Sequence, residues 1–269
     1  MNCRIGRSYP YHRRAPWRRL LVLGLVAAPA IYAIDPTELQ PAGPLTPGTF
    51  EVQEKLKYDA YDDYEAEAET SVEYEVTRKL AVRLFGAVER GEKYDIEGDL
   101  KLRLKYVLNP DAERAPIAAV TLEGAFPVGH DNDGIDVDLR LRLTNRLSGE
   151  NDRHAFHLTL SGKYVGDEDV AHDGIRDIFR KDREDARKFL FMAVPGYTFD
   201  LTPQTTLVAD VAYKQLAEKG ADATLLELGV KHNLGKSTTL ALGAGLGLGD
   251  DAPDWTARAG IQFRFGGKR

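Results

Sequence analysis

Three observations predict that this chain is all-β and closes into an antiparallel transmembrane β-barrel of about 12 strands. Residues 94–106 place Tyr94, Ile96, Leu100, Leu102, Leu104 and Tyr106 on one parity, with Gly98 among them. Asp95, Glu97, Asp99, Lys101, Arg103 and Lys105 fall on the other. Such period-two alternation means a strand with one apolar and one charged face, and the tyrosines at its ends suit the boundary between lipid and water. The pattern recurs in twelve segments, the second observation. The third is an export signal. Six arginines and no acid in the first nineteen residues precede an apolar run, Leu20 to Ala33, that ends Ala-Ile-Tyr-Ala. This is a secretory signal peptide with its cut after Ala33. The run is shorter than the roughly 20 residues of a spanning helix, and a buried core helix has no need of the arginine preface.

The layout that follows is a signal peptide over 1–33, a Pro-rich periplasmic lead-in over 34–47, the barrel over 48–265 and a short tail over 266–269. The first segment, 50–58, turns Phe50, Val52, Leu56 and Tyr58 outward; Glu54 shares their parity, which requires either a bulge or a different register. The second, 64–76, sets Tyr64, Ala66, Ala68, Val72, Tyr74 and Val76 against an acidic comb of Glu65, Glu67, Glu69, Glu73 and Glu75. The third is 80–88, the fourth the stretch above, and the fifth, 118–126, carries Val120 and Leu122. The sixth opposes Ile135, Val137, Leu139, Leu141 and Leu143 to Asp136, Asp138, Arg140 and Arg142. The seventh, 154–164, points Phe156, Leu158 and Leu160 outward; the eighth, 189–199, is apolar on both parities, so its phase is open. The ninth is 205–213 and the tenth 226–234, with His232 outward near its end. The eleventh sets Leu240, Leu242, Leu246 and Leu248 against Gly243, Gly245 and Gly247; the inward glycines imply bulky neighbours, a passage, or strand curvature. The twelfth ends Ile261, Phe263, Phe265. An even strand count with the N-terminus in the periplasm makes the short turns 77–79, 202–204 and 235–237 periplasmic and puts the longest connection, 166–188, outside.

Strand direction then orders the inward charges. Asp95, Glu97, Asp99, Asp136 and Asp138 lie toward the outer mouth, with Lys101, Arg103, Lys105, Arg140 and Arg142 below them. Glu227 stands above Lys231, Glu89 above Arg83, and Arg258 and Arg264 add base without acid; Lys55, Lys57 and the acidic comb break the order. Two readings remain open: a charge filter along a channel, or acids and bases that pair across a narrow lumen and close it. Phe85, Val208 and Leu225 also face inward, so the lumen is not uniformly polar.

Cutting after Ala33 takes the 36 basic residues to 30 against 42 acidic ones, a net charge near −12. That balance makes nucleic acid a poor partner. Cys3 leaves with the signal, so no disulfide is expected, and no zinc or haem spacing calls for a cofactor. His130-Asp131-Asn132-Asp133 and His172-Asp173 sit on outer loops, where turn residues are common; His157 and Ser161 share the lumen parity. No catalytic constellation stands out. The charged stretch 175–188 is either a solvated loop or an inward constriction.

At the C-terminus Gly260-Ile261-Gln262-Phe263-Arg264-Phe265 resembles the assembly signal of Gram-negative outer-membrane barrels, carried by Gly260, Phe263 and Phe265. Ala259 stands where a polar residue is usual, and four residues follow the last Phe. Residues from about 115 to 265 also resemble the outer-membrane transporter family named for the meta-pathway of phenol degradation, through 121–129, 225–231 and 245–255. That resemblance implies uptake of small, often apolar or aromatic compounds. The expectation is therefore a bacterial outer-membrane channel, not an enzyme, with outer-membrane lipid, the barrel-assembly machinery, periplasmic chaperones and an unidentified small solute as partners. The alternatives are a non-conducting structural or adhesive barrel working through its outer loops and, third, an outer-membrane hydrolase.

Overall fold

A computed structural model describes residues 37–266, apart from positions 41, 44, 62–63, 92–96, 112–115, 129–133, 148–152, 167–186 and 218–219. The expected signal peptide, Asp95, the side chain of Glu97, both loop His–Asp pairs and most of the 175–188 stretch lie outside the described residues.

Twelve strands form one closed sheet. They are β1 (Thr49–Ala60), β2 (Tyr64–Glu75), β3 (Leu80–Gly91), β4 (Glu97–Val107), β5 (Ile117–Pro127), β6 (Asp136–Arg146), β7 (His154–Tyr164), β8 (Phe189–Asp200), β9 (Thr205–Gln215), β10 (Asp222–Asn233), β11 (Thr238–Gly247) and β12 (Trp255–Gly266). Each pairs antiparallel with its neighbour in sequence, and β1 with β12 closes the barrel. Closure leaves no free sheet edge, the condition for strands to lie in lipid. The strands alternate as the sequence predicts. Leu100, Leu102, Leu104 and Tyr106 are exposed on the outer face while Arg103 is buried inside. Aromatic pairs cluster at both rims of the outer face: Tyr58 with Tyr64 and Trp255 at one, Phe50 with Tyr74 at the other. An apolar belt between aromatic girdles defines the outer-membrane class of β-barrel.

Two open points of the pattern are settled by register. β1 runs unbroken from Thr49↔Gly266 to Ala60↔Trp255 against β12, and equally against β2. There is no bulge, and Glu54 is on the outer face, midway between Phe50 and Tyr58, beside Thr70 and Ile261. In β8 the inward positions are Leu190, Met192 and Val194, opposite Lys163, Ser161 and Thr159, while Phe189 and Phe191 face out. Pro195, which has no N–H to donate, falls in a gap of the β8–β9 ladder. The turn at 234–237 uses Gly235 at φ 102°, a backbone region that glycine enters without strain.

The described residues of the expected lead-in over 34–47, which are 37–40, 42–43 and 45–47, do not hang clear of the barrel. From Gly48, at the end of the barrel that carries both ends of the sheet, the segment runs up inside the lumen. Ala42 and Leu45 are buried against Ala81, Val107 and Ala119, and further in Leu39 is buried against Val194, Val208, Ala212 and Leu225.

Candidate functional site: the lumen and its inserted segment

The lumen has two unlike walls. From β1 to β7 the inward side chains are mostly charged and paired. Arg103 meets Glu123 at 2.5 Å, Arg140 meets Asp138 at 2.5 Å and Glu123 at 3.8 Å, Arg83 meets Glu73 at 2.7 Å and Lys163 meets Asp136 at 2.9 Å. Ser161 donates to the other Asp138 oxygen at 2.6 Å. Phe85 lies under the Arg103 guanidinium, 4.7 Å from ring centre to Cζ, and 5.7 Å from Lys101 Nζ. Thus one of the apolar inner residues is a platform for cations. From β8 to β11 the wall is largely aliphatic or small, with Leu190, Met192, Val194, Val208, Ala212, Leu225, then Ala241, Gly243 and Gly245, and its charged side chains Asp210, Lys214 and Glu227 face the inserted segment.

The inserted segment bridges the two walls. Glu38 Oε1 accepts from Lys214 Nζ at 2.6 Å and Arg258 Nη2 at 2.7 Å, and Arg258 also reaches Glu227 at 3.0 Å. Glu38 lies in this segment and not in a strand. Burial acts to raise its pKa, but Arg258 and Lys214 outweigh it and hold the carboxyl well below the usual carboxylate range. The N–H of Glu38 donates to Glu227 Oε2 at 2.9 Å, and the N–H of Leu39 to Asp210 Oδ2 at 3.0 Å. Arg142 Nη2 donates to the Gln40 side-chain oxygen, the Ala42 N–H to Thr144 Oγ1 at 2.8 Å, and the Thr46 N–H to Glu75. Seven side chains on five different strands thus satisfy main-chain and side-chain groups of a segment that has no ladder of its own.

Glycine makes room for it. A Cβ on Gly196 would sit 2.8 Å from both terminal carbons of Leu39, so that leucine occupies space only glycine leaves. A Cβ on Gly245 would sit 2.7 Å from Thr256 Cγ2 and 3.0 Å from Glu227 Cγ. Of the readings open for the inward glycines, a bulky neighbour is the one realised at Gly245. Beyond the segment, toward the long-loop end, lies a cavity of about 280 Å³. Lys101, Arg103, Asp138 and Arg140 line one side of it, Leu190, Met192 and Leu225 another, and Glu38 and Gln40 border it.

Among the expected charge-filter residues, Asp99, Lys101, Arg103, Asp136, Asp138 and Arg140 are brought together around this cavity. Arg142, Glu227 and Arg258 meet the inserted segment instead. Lys105 and Lys231 share the inner parity, opposite Thr121 and Thr206. Glu123 and Glu73 place acid at the level of the bases and pair with them. Glu38, Leu39, Gln40 and Asp210 belong to the site without having been singled out from the sequence. Gly260, Phe263 and Phe265 lie on β12, opposite Lys55, Val52 and Phe50 at the closing seam.

Other chemistry is accounted for by local partners. Glu51, Glu73 and Glu75 bring three carboxylate oxygens within 4.8 Å of one another, but Arg264 lies 2.6 Å from Glu51 and 2.9 Å from Glu75, and Arg83 holds Glu73. Both ring nitrogens of His157 are engaged, Nδ1 by Thr144 at 3.0 Å and Nε2 by Thr198 at 2.9 Å, so it is not poised to activate Ser161.

The comparisons with known proteins agree with this architecture. The COG4313 outer membrane channel from Pseudomonas putida F1 superposes with a TM-score of 0.59 at 15% identity, over 87% of this chain and 100% of that one. A KdgM porin, solved in complex with disordered oligogalacturonate, matches at 0.53 and 9% identity over 81% of this chain and 99% of its own. The NanC porin matches at 0.53 and 12% identity, over 80% and 98%. At these identities the likeness is one of fold. No protein-family model and no curated protein matches the chain, and the expected phenol meta-pathway family finds no support there.

Proposed function

We propose that this chain is an outer-membrane channel for small solutes whose lumen is closed at rest by its own residues 37–48. The observation that carries the reading is the docking of Glu38 and Leu39 in mid-lumen, on Arg258, Lys214, Asp210 and the Val194–Leu225 pocket, directly beneath a cavity lined by charge. The apolar outer belt supports insertion in the outer membrane. The named channel and porins of the same fold support passage as the use of the lumen. A solute that enters meets the filter residues Asp99, Lys101, Arg103, Asp136, Asp138 and Arg140 first and the inserted segment second. Changing Arg103, Arg140 and Arg142 together to Glu makes the lumen prefer cations, read as a shift of the reversal potential in a planar bilayer under a salt gradient; an unmoved reversal potential would remove the filter from the account.

A second reading has its own observation. Ion pairs on the charged wall and the inserted segment against the aliphatic one both occupy the lumen, as suits a non-conducting barrel that works through its outer loops. Conductance separates the two: a chain that inserts, and stays silent even when the segment is loosened by Leu39→Ala, belongs to the second class.

A further inference from the structure

We infer that the wall around Arg258, Asp210 and Glu227 is a peptide-binding site, occupied in this structure by the chain's own Glu38–Leu39 and suited to short peptides in which an acidic residue precedes an aliphatic one. The inference deepens the channel reading and rests on it for the route by which a peptide arrives. Each part of a short peptide has a counterpart here. The carboxylate is taken by Arg258 and Lys214. Two successive main-chain N–H groups are taken by Glu227 and Asp210. The branched aliphatic side chain is taken by a pocket whose depth depends on Gly196 having no Cβ. None of these contacts requires the ligand to be joined to Gly48.

The site also holds more hydrogen-bonding capacity than its resident uses. Asp210 Oδ1 and Arg258 Nε and Nη1 are buried with no hydrogen-bond partner, on side chains belonging to residues only 3% and 4% exposed. A free dipeptide brings an α-amino group rich in donors and a terminal carboxylate rich in acceptors, the kinds of partner that Asp210 Oδ1 and the two Arg258 nitrogens respectively lack. A free acidic–aliphatic dipeptide therefore carries terminal groups that an internal stretch of chain cannot offer this site, and buried polar groups gain most from the partner they lack. Specificity follows from the same contacts. A Lys in the first position would put an ammonium against Arg258 and Lys214, and a polar second side chain would leave the Val194–Leu225 pocket unfilled.

The resident is tethered, so it competes at high effective concentration, and weakening it must strengthen an added peptide. The test is calorimetric titration of the refolded mature chain, native and with Leu39→Ala or Glu38→Gln, using the dipeptides Glu-Leu, Lys-Leu and Glu-Ser. Glu-Leu is expected to bind both variants roughly tenfold or more tighter than the native chain, with Lys-Leu and Glu-Ser at least about tenfold weaker than Glu-Leu. Adding Gly196→Ala to Leu39→Ala is expected to remove the preference for Glu-Leu over Glu-Ser. Equal binding of Glu-Leu and Lys-Leu, or an affinity that neither segment variant alters, would overturn the inference. Conductance of the same preparations keeps the two proposals apart. Opening by Leu39→Ala without peptide binding removes the peptide site and leaves the channel. Peptide binding by a barrel that never conducts leaves the peptide site and removes the channel.

Discussion

The wall from β1 to β7 and the wall from β8 to β11 solve the same problem, an inner surface away from lipid, in opposite ways. The first satisfies itself: Arg83, Arg103, Arg140 and Lys163 each find a carboxylate on their own or a neighbouring strand, and Phe85 backs the cations. The second is largely aliphatic, its few polar side chains Asp210, Lys214 and Glu227 turn to the inserted segment, and it has no second layer of sheet to pack on, so its apolar surface is covered by a piece of chain, with Leu39 only 1% exposed against Val194, Val208, Ala212 and Leu225. Paired charge can stand in a watery lumen unaided, whereas contiguous apolar surface gains from removal from water. The inserted segment is therefore held where the barrel is least complete on its own. Its polar contacts, Glu38 with Arg258 and Gln40 with Arg142, fasten it at the borders of that wall.

The largest effect expected from breaking this contrast is on the charged wall. Arg103→Met leaves Glu123 buried with only the longer Arg140 contact, and a broken buried pair costs about 3–5 kcal/mol. Denaturant unfolding from lipid vesicles reads this directly, and a loss below about 1 kcal/mol would mean the wall is solvated and its pairing incidental. Next comes Leu39→Ala, which removes about 2–5 kcal/mol of apolar packing. That loss falls on docking of the segment and not on the sheet, so the unfolding midpoint stays near the native value while conductance rises. Gly196→Ala is expected to act on the same contact from the other side, through overpacking of about 1–3 kcal/mol, with the same gain in conductance. The smallest effect lies outside the lumen. Glu54→Leu removes a carboxylate from the middle of the lipid-facing belt, and the barrel should gain about 1–2 kcal/mol in the same vesicle assay. No gain there would mean that Glu54 has a partner on the outer face.

Twelve strands and their facing were legible because lipid on one side and water on the other impose period two, as at Leu100 to Tyr106 and at Val137 to Leu143. β8 was illegible for a physical reason: its inner positions Leu190, Met192 and Val194 belong to the covered wall, so both of its faces are apolar and alternation vanishes. Val208 and Leu225 stood out as apolar inner residues, and their partner proved to be Leu39 of the same chain. The inserted segment had no signature of its own, since it is short, Pro-rich and without periodicity, and its hydrogen bonds go to side chains far away in sequence. The signal that was present lay in the receptor: inward aliphatics on β8, β9 and β10 beside the small inward residues Ala241, Gly243 and Gly245 of β11. The charge order was visible along single strands, but Glu123 and Glu73, which neutralise the bases, pair across strands and show themselves only once register is fixed.

The most direct test of a lumen closed by its own segment is single-channel recording of the refolded mature chain beside its Glu38→Gln, Leu39→Ala double variant. The account predicts rare, brief openings for the native chain and sustained, larger conductance steps for the variant. Equal conductance from the two, whether open or silent, would contradict it.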